Sequence, residues 1–221
     1  EDAEKDSQIK AILLDINSPG GSAVATDEIA NAIKRCNKTT VAVIRETGTS
    51  GAYWIASAAD YVIANRMSVT GSIGVIGSYF ELSGLLERYN ITYERLVSGE
   101  YKDIGTPFKE LTLEERKKLQ GIIDEIHEDF INAIAENRNM SKEKIKEIAT
   151  GEFFTGKKAK ELGLVDELGG MDEAEKYIEK KLNITVKIRK YEKPISFSDL
   201  LSGLIMQKSI ELKINNEGLK V

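Results

Sequence analysis

The chain has 221 residues, 41% of them hydrophobic and 30% charged, with a formal net charge of −5. That length suits one large domain or two small ones, and about seven-tenths of the unfolded surface can be buried without disulfide staples. Lys and Glu are mixed throughout, which leaves no basic patch for nucleic acid and no long acidic tail.

One cysteine, Cys36, excludes an intrachain disulfide, and its setting reads as a semi-buried helix residue rather than a reactive thiol. No stretch approaches the roughly 18 apolar residues of a membrane span, and no signal peptide is visible. The chain opens on charged Glu1-Asp2-Ala3-Glu4-Lys5 and enters a strand almost at once, as a fragment whose start lies elsewhere would.

Ala11-Ile12-Leu13-Leu14-Asp15-Ile16 is a short apolar run ended by turn residues, which predicts a buried strand. Asn17-Ser18-Pro19-Gly20-Gly21 breaks it, and residues 22–35 read as a helix with Val24, Ile29 and Ile33 on one side. Val41-Ala42-Val43-Ile44 predicts a second buried strand, the small residues over 51–59 a buried helix, and Tyr61-Val62-Ile63-Ala64 a third strand. Residues 70–77 are apolar but too rich in glycine for a helix, so turn plus strand is expected.

A short helix over 82–89 and a strand over 91–97 follow. The longest helix spans 111–137, with Leu119, Ile122, Ile123, Ile126, Phe130 and Ile134 at helical spacing. Ser141 reads as an N-cap, with Lys144 where a capping box would place an acid. Further helices are expected over 156–162, 171–182 and 196–207, and a strand over 184–188. Strands alternating with helices predict an α/β fold with a mainly parallel sheet covered by helices. No linker or repeat divides the chain. One domain over 1–213 is expected, with 214–221 as a frayed tail.

Ser50 follows a buried strand and starts a helix, in Glu46-Thr47-Gly48-Thr49-Ser50-Gly51-Ala52. The carboxyl ends of parallel strands are where sites are built, and Gly51 leaves a backbone N–H free to meet an oxyanion. On position alone Ser50 is an N-cap or a nucleophile. The G-x-S-x-G elbow of the α/β-hydrolases is ruled out, because position 52 is Ala. The one histidine, His127, lies inside the long helix, about 80° from the centre of its apolar stripe, and reads as a partly buried packing residue.

Without histidine, a serine nucleophile needs a lysine, a carboxylate or a metal-bound group as base. No Cys/His cluster or carboxylate pairing has metal-ligand spacing, and Asp15 has no such companions. A lysine serves when neutral, a form that burial favours. Lys102, in Tyr101-Lys102-Asp103-Ile104-Gly105, is set apart from the other lysines by its context alone: it follows an expected strand, among glycines, ahead of Pro107. Pro19-Gly20-Gly21 is either a tight strand-to-helix turn or a nest of N–H groups for an anion.

Five segments in order resemble the signal peptide peptidase A family of serine proteases, related in fold to the Clp protease proteolytic subunit and the crotonases. They are Asn17-Ser18-Pro19-Gly20-Gly21, Gly48-Thr49-Ser50-Gly51-Ala52-Tyr53-Trp54, Thr70-Gly71-Ser72-Ile73-Gly74-Val75, Ser98-Gly99-Glu100-Tyr101-Lys102-Asp103-Ile104-Gly105, and the stretch from Thr155-Gly156 to Gly163-Leu164-Val165-Asp166. The resemblance runs from Lys10 to about Gly170. It implies a fold of repeated β-β-α units, Ser50 as nucleophile, Lys102 as general base and Ser72 as the residue that orients the lysine. It further implies an oxyanion hole of the Gly21 and Gly51 N–H groups, and substrate pairing along Gly20, Ile73, Gly74, Val75 and Ile76.

The family's substrates are signal peptides left in the membrane after preprotein cleavage and other apolar peptides. Its members form ring- or dome-shaped homo-oligomers, such as octamers, and carry an N-terminal membrane anchor. The resemblance implies no cofactor and no nucleic acid, a membrane-associated, single-pass full-length protein, and a first strand and anchor that precede this chain. Two alternatives share the fold: an acyl-CoA enzyme of the crotonase type, which has the two-amide oxyanion hole without a Ser/Lys pair, and a non-catalytic oligomeric scaffold.

Overall fold

The structure, a computed structural model, describes residues 2–191. After a short α1 (Asp2–Lys5), the first apolar run becomes β1 (Ala11–Ser18), and the chain returns through α2 (Ala23–Lys34) to the central strand β2 (Thr39–Thr49). Next come α3 (Gly51–Ser57), β3 (Tyr61–Ala64), β4 (Val69–Gly71) and α4 (Ser83–Arg88). The long helix α5 (Leu113–Asn137) leads to α6 (Lys142–Ile148), β5 (Phe153–Thr155), α7 (Gly156–Leu162), β6 (Glu167–Leu168) and α8 (Met171–Leu182). Residues 2–186 belong to one compact unit, and a second begins at Lys187.

The six strands make one mostly parallel sheet with helices against it, consistent with the Clp protease/crotonase-like fold. β2 organises it. Its residues Val41–Ile44 pair in parallel with β1 on one edge and β3 on the other, and Thr47–Thr49 then pair with β4. β6 extends the sheet in parallel beyond β3, and β5 is antiparallel to β4. A register shift between Ile16 and Ser18 bends the end of β1, immediately before the Pro19-Gly20-Gly21 turn.

β2 is covered on both faces, which is why its sequence reads as a continuous apolar run. Ala42 and Ile44 join a core with Tyr53 and Trp54 of α3, Phe130 and Ile134 of α5, and Leu164. Val41 and Val43 face the other way and pack with Ile63 and with Ala174 and Ile178 of α8. Trp54 stacks on Phe130 at 4.8 Å between ring centroids, which pins α5 to α3. The Tyr53 hydroxyl donates to the Leu164 carbonyl at 2.8 Å, and burial raises its pKa well above that of a free phenol.

The helix ends follow local chemistry. Thr112 and Glu115 form a complete capping box at the start of α5. Ser141 accepts from the Lys144 N–H, and Thr155 from the Lys158 N–H, as N-caps. Gly163 ends α7 in the left-handed conformation, φ 83°.

Two expected strands are not formed and a third is cut short. Residues 91–97 are all exposed and in no ladder, because this apolar stretch lies on no sheet edge. Residues 184–188 leave α8 irregularly, with the Val186 N–H held by Glu179 Oε1 at 3.0 Å. Of 70–77, β4 takes only the start: Gly71 (φ 81°) and Ser72 (φ 52°) turn the chain out of the extended conformation. Beyond them Ile73 is fully buried while Ile76 is 86% exposed. The expected helix over 196–207 and tail over 214–221 lie outside the described residues.

Candidate active site

The last turn of β2 delivers Ser50 into the space between β4 and the Pro19-Gly20-Gly21 turn. The Ser50 N–H donates to Gly71 O at 2.8 Å, continuing the β2–β4 ladder by one bond. Its carbonyl accepts from the Tyr53 and Trp54 N–H groups at 2.9 and 3.0 Å, which starts α3. Between those commitments the residue adopts φ 53°, ψ −128°, a conformation that a residue with a side chain rarely occupies. Holding it there costs about 1–3 kcal/mol. Ser50 stands at the N-cap position of α3, yet its hydroxyl makes no capping hydrogen bond.

The two glycine segments meet at Ser50. A Cβ on Gly20, whose φ is 107°, would lie 2.9 Å from both the Gly51 nitrogen and the Thr49 carbonyl oxygen. A Cβ on Gly51 would run into Thr26 Oγ1 and stand 3.4 Å from the Gly21 nitrogen. Only glycine permits this approach of backbone to backbone. The Gly21 and Gly51 N–H groups therefore sit close together beside Ser50, and neither donates a hydrogen bond among the described residues. Thr49 Oγ1 donates to Pro19 O at 3.1 Å and Thr70 Oγ1 to Gly48 O at 2.7 Å, which fixes both walls.

Ser72 is one residue past the Gly71 carbonyl that receives the Ser50 N–H. Its own N–H donates to Glu152 O at 2.7 Å, and Gly151 N–H donates to Ile73 O at 3.1 Å. Gly74 lies against Gly151 Cα, which a Cβ there would approach to 3.3 Å. Residues 72–74 are thus braced on one side by 151–152. Ser50, Gly20, Gly21 and Gly51 are brought together, with Ser72 one residue past Gly71, which accepts the Ser50 N–H, and Ile73 and Gly74 following it against Gly151. Val75 and Ile76 lead away from them toward the surface.

Lys102 is not joined to this cluster by any hydrogen bond or ion pair among the described residues. It lies in a series of turns, its N–H donating to Gly99 O at 3.2 Å, and its side chain is exposed. His127 is half-buried in α5 with its Nε2 buried and unpartnered among the described residues, in keeping with a packing role. Two features escaped the sequence reading. Thr26 is buried against Gly51, and nothing in its local sequence marks it. The Thr112-x-x-Glu115 capping box at the start of α5 has a readable signature.

Residues 32–185 match the family model "Peptidase family S49". The chain belongs to peptidase family S49. It is 38% identical over 187 residues to a putative protease of Methanocaldococcus jannaschii, a match covering 84% of this chain and 60% of that protein. It is 35% identical to a putative signal peptide peptidase SppA of Enterococcus faecium, covering 82% of this chain and 54% of the relative. The chloroplastic serine protease SPPA of Arabidopsis thaliana is 32% identical over 203 residues, 88% of this chain and 30% of that protein. The chain therefore spans about half to two-thirds of the first two relatives and less of the third. S49 membership and these relatives make the signal peptide peptidase A resemblance a family relationship. Among the described residues no helix is long and apolar enough to cross a membrane.

Proposed function

We propose that this S49 chain is a serine endopeptidase in which Ser50 is the nucleophile and Lys102 the general base, acting on signal peptides left in the membrane and on other apolar peptides. The observation that carries the reading is the state of Ser50. Its backbone is held in a costly conformation, its hydroxyl is not used as a cap, and two unpaired N–H groups stand beside it. Strain of this kind is retained where it serves chemistry rather than folding.

In the mechanism, Lys102 Nζ takes the proton from Ser50 Oγ as Oγ attacks the scissile carbonyl carbon. The carbonyl oxygen becomes an oxyanion, which accepts from the Gly21 and Gly51 N–H groups. One such donor contributes about 3–4 kcal/mol to the transition state. As the tetrahedral adduct collapses, the leaving amine receives the proton from Lys102 and an acyl ester remains on Ser50. Water then attacks the ester with Lys102 taking its proton, and Ser50 Oγ leaves and is reprotonated. Ser72 Oγ holds Nζ in line.

Substrate would lie extended between the Gly20-Gly21 turn and residues 73–76, where Gly74, Val75 and Ile76 contribute to no ladder. The name of the Enterococcus relative supports signal peptides as substrates.

Assembly completes the site in this reading. Between β4 and α5 a run of large apolar side chains stands exposed, among them Ile76, Phe80, Leu85, Tyr89, Ile91 and Leu96. Apolar exposure on that scale marks an interface, and the same segment carries Lys102. A ring or dome of copies would cover the segment and bring Lys102 of one copy to Ser50 of the next. Membrane association in the full-length protein follows from the same family reading.

A peptide phosphonate, which reacts with an activated serine, tests the reading. Labelling of Ser50 and loss of cleavage in Ser50→Ala and Lys102→Ala are expected. Cleavage that survives Ser50→Ala, or active protein in which Ser50 is never labelled, would overturn it. The labelling result also excludes the acyl-CoA alternative.

A further inference from the structure

Lys102 is exposed, but the residues on either side of it are fastened. Tyr101 Oη donates to Glu114 Oε1 at 2.5 Å, and Lys118 Nζ lies 4.4 Å from the centre of the Tyr101 ring. On the other flank, Asp103 is gripped by Arg95: Nε to Oδ2 at 2.6 Å and Nη2 to Oδ1 at 2.9 Å. Arg95 Nη2 also donates to the Glu100 carbonyl at 2.8 Å, which closes the turn that carries the lysine.

Lys109 extends the chain of charges. Its Nζ lies 3.4 Å from Asp103 Oδ1 and 2.5 Å from Glu115 Oε1. Glu115 Oε2 in turn accepts the Thr112 N–H at 2.9 Å in the capping box of α5. The two carboxylates are shielded, with side-chain exposures of 9% for Asp103 and 5% for Glu115. Hydrogen bonding to Arg95 holds the Asp103 carboxyl down to about 2, and Lys109 lowers that of Glu115. Both flanks of Lys102 are therefore tied to the first turn of α5, whose other half is stacked on α3 through Phe130 and Trp54.

The arrangement has one consequence for a lysine that must act as a base. The turn is fixed by charge-assisted bonds rather than by packing, so the Lys102 backbone starts from a defined place without the side chain being buried. The carboxylates that fasten the turn are themselves paired: Asp103 faces Arg95 and Lys109, and Glu114 faces Tyr101 and Lys118.

We propose that Arg95, Asp103, Lys109 and Glu115 are positioning residues for the peptidase reaction: they hold the Lys102 turn on the end of α5 in the geometry that presents the base. The proposal rests on Lys102 being that base. A network that merely helped the segment to fold would change how much enzyme is competent. A positioning network changes how fast each competent site turns over.

The test uses the full chain carrying Asp103→Asn, Lys109→Met or Lys109→Arg, with Lys102→Ala as reference. Competent sites are counted by taking phosphonate labelling of Ser50 to completion, and kcat and KM are measured on an apolar peptide. Asp103→Asn and Lys109→Met should lower kcat per labelled site about tenfold or more, since small misplacements of a reacting group have effects of that order. KM should stay within about twofold, and Lys109→Arg should retain most of the rate. If Asp103→Asn does not fold, the Lys109→Met and Lys109→Arg pair decides. Variants whose kcat per labelled site equals the parent's, with only the labelled fraction lowered, would overturn the proposal. Lys102→Ala that cleaves at the parent rate would instead remove the base assignment beneath it.

Discussion

The proposed nucleophile and the proposed base are held by opposite means. Ser50 is set by backbone at the centre of the sheet: a ladder bond to Gly71, the start of α3, and Gly20 and Gly51, where a side chain would collide with its neighbours. Lys102 lies on a surface segment with few buried side chains, set by ion pairs at the tip of a helix. The buried half of the site is built as the domain folds. The exposed half depends on charge and, in the proposed assembly, on a neighbouring copy. Damage to the first should therefore be global, and damage to the second local and sensitive to conditions.

The largest expected effect is that of Ser50→Ala on peptide cleavage, a loss of about four orders of magnitude or more. Melting should be nearly unchanged, because the Ser50 hydroxyl makes no capping hydrogen bond and alanine keeps the same Cβ at the same backbone conformation. A variant that both unfolds and loses activity would blur the comparison. Next, Phe130→Ala removes the ring stacked on Trp54 and should cost about 3–5 kcal/mol in denaturant unfolding. A loss below 1 kcal/mol, the size of a surface change, would mean that α5 is not anchored through this contact.

Gly20→Ala sets a methyl against the Gly51 nitrogen and the Thr49 carbonyl at a φ of 107°. It should cost about 1–3 kcal/mol and reduce kcat more than binding. Wild-type kcat in this variant would separate the glycine turn from the oxyanion site.

The smallest effect is confined to the exposed segment. Asp103 has its pKa lowered from 3.8 to about 2, so its ion pairs contribute fully above about pH 4 and are lost as the pH falls toward 2. Glu115 is lowered too and acts in the same direction. Amide exchange, corrected for its intrinsic pH dependence, should show residues 95–109 loosening at pH 3 while β2 stays protected. Equal protection of both regions at pH 3 would contradict the division between them.

The same division governs how much could be read from the sequence. Val41–Ile44 announces a buried strand because both faces of β2 are covered, whereas Ala11–Ile16 forms its strand with Ile16 alone fully buried, because β1 pairs with β2 alone among the described residues. The helices over 156–162 and 171–182 begin and end where the structure has them, since caps and turn residues act locally. Residues 91–97 carry Ile91, Tyr93, Leu96 and Val97 around Glu94 and Arg95 and stay out of the sheet. Composition records the need for cover without saying whether the chain's own sheet or another copy provides it. The positive φ of Ser50 had no signal, because no glycine marks the position. Nor did the pairing of Arg95 with Asp103, which follows no helical or strand period.

The central claim is that a serine fixed at the end of the central strand of one copy works with a lysine carried on the exposed segment of another. Co-expressing Ser50→Ala with Lys102→Ala chains, and assaying the mixed assembly for peptide cleavage and for phosphonate labelling of Ser50, tests it directly. Each variant alone should be inactive, and the mixture should regain a substantial fraction of the parent activity, with label on the Lys102→Ala chain. A mixed assembly that forms but stays as inactive as its parents would contradict the account.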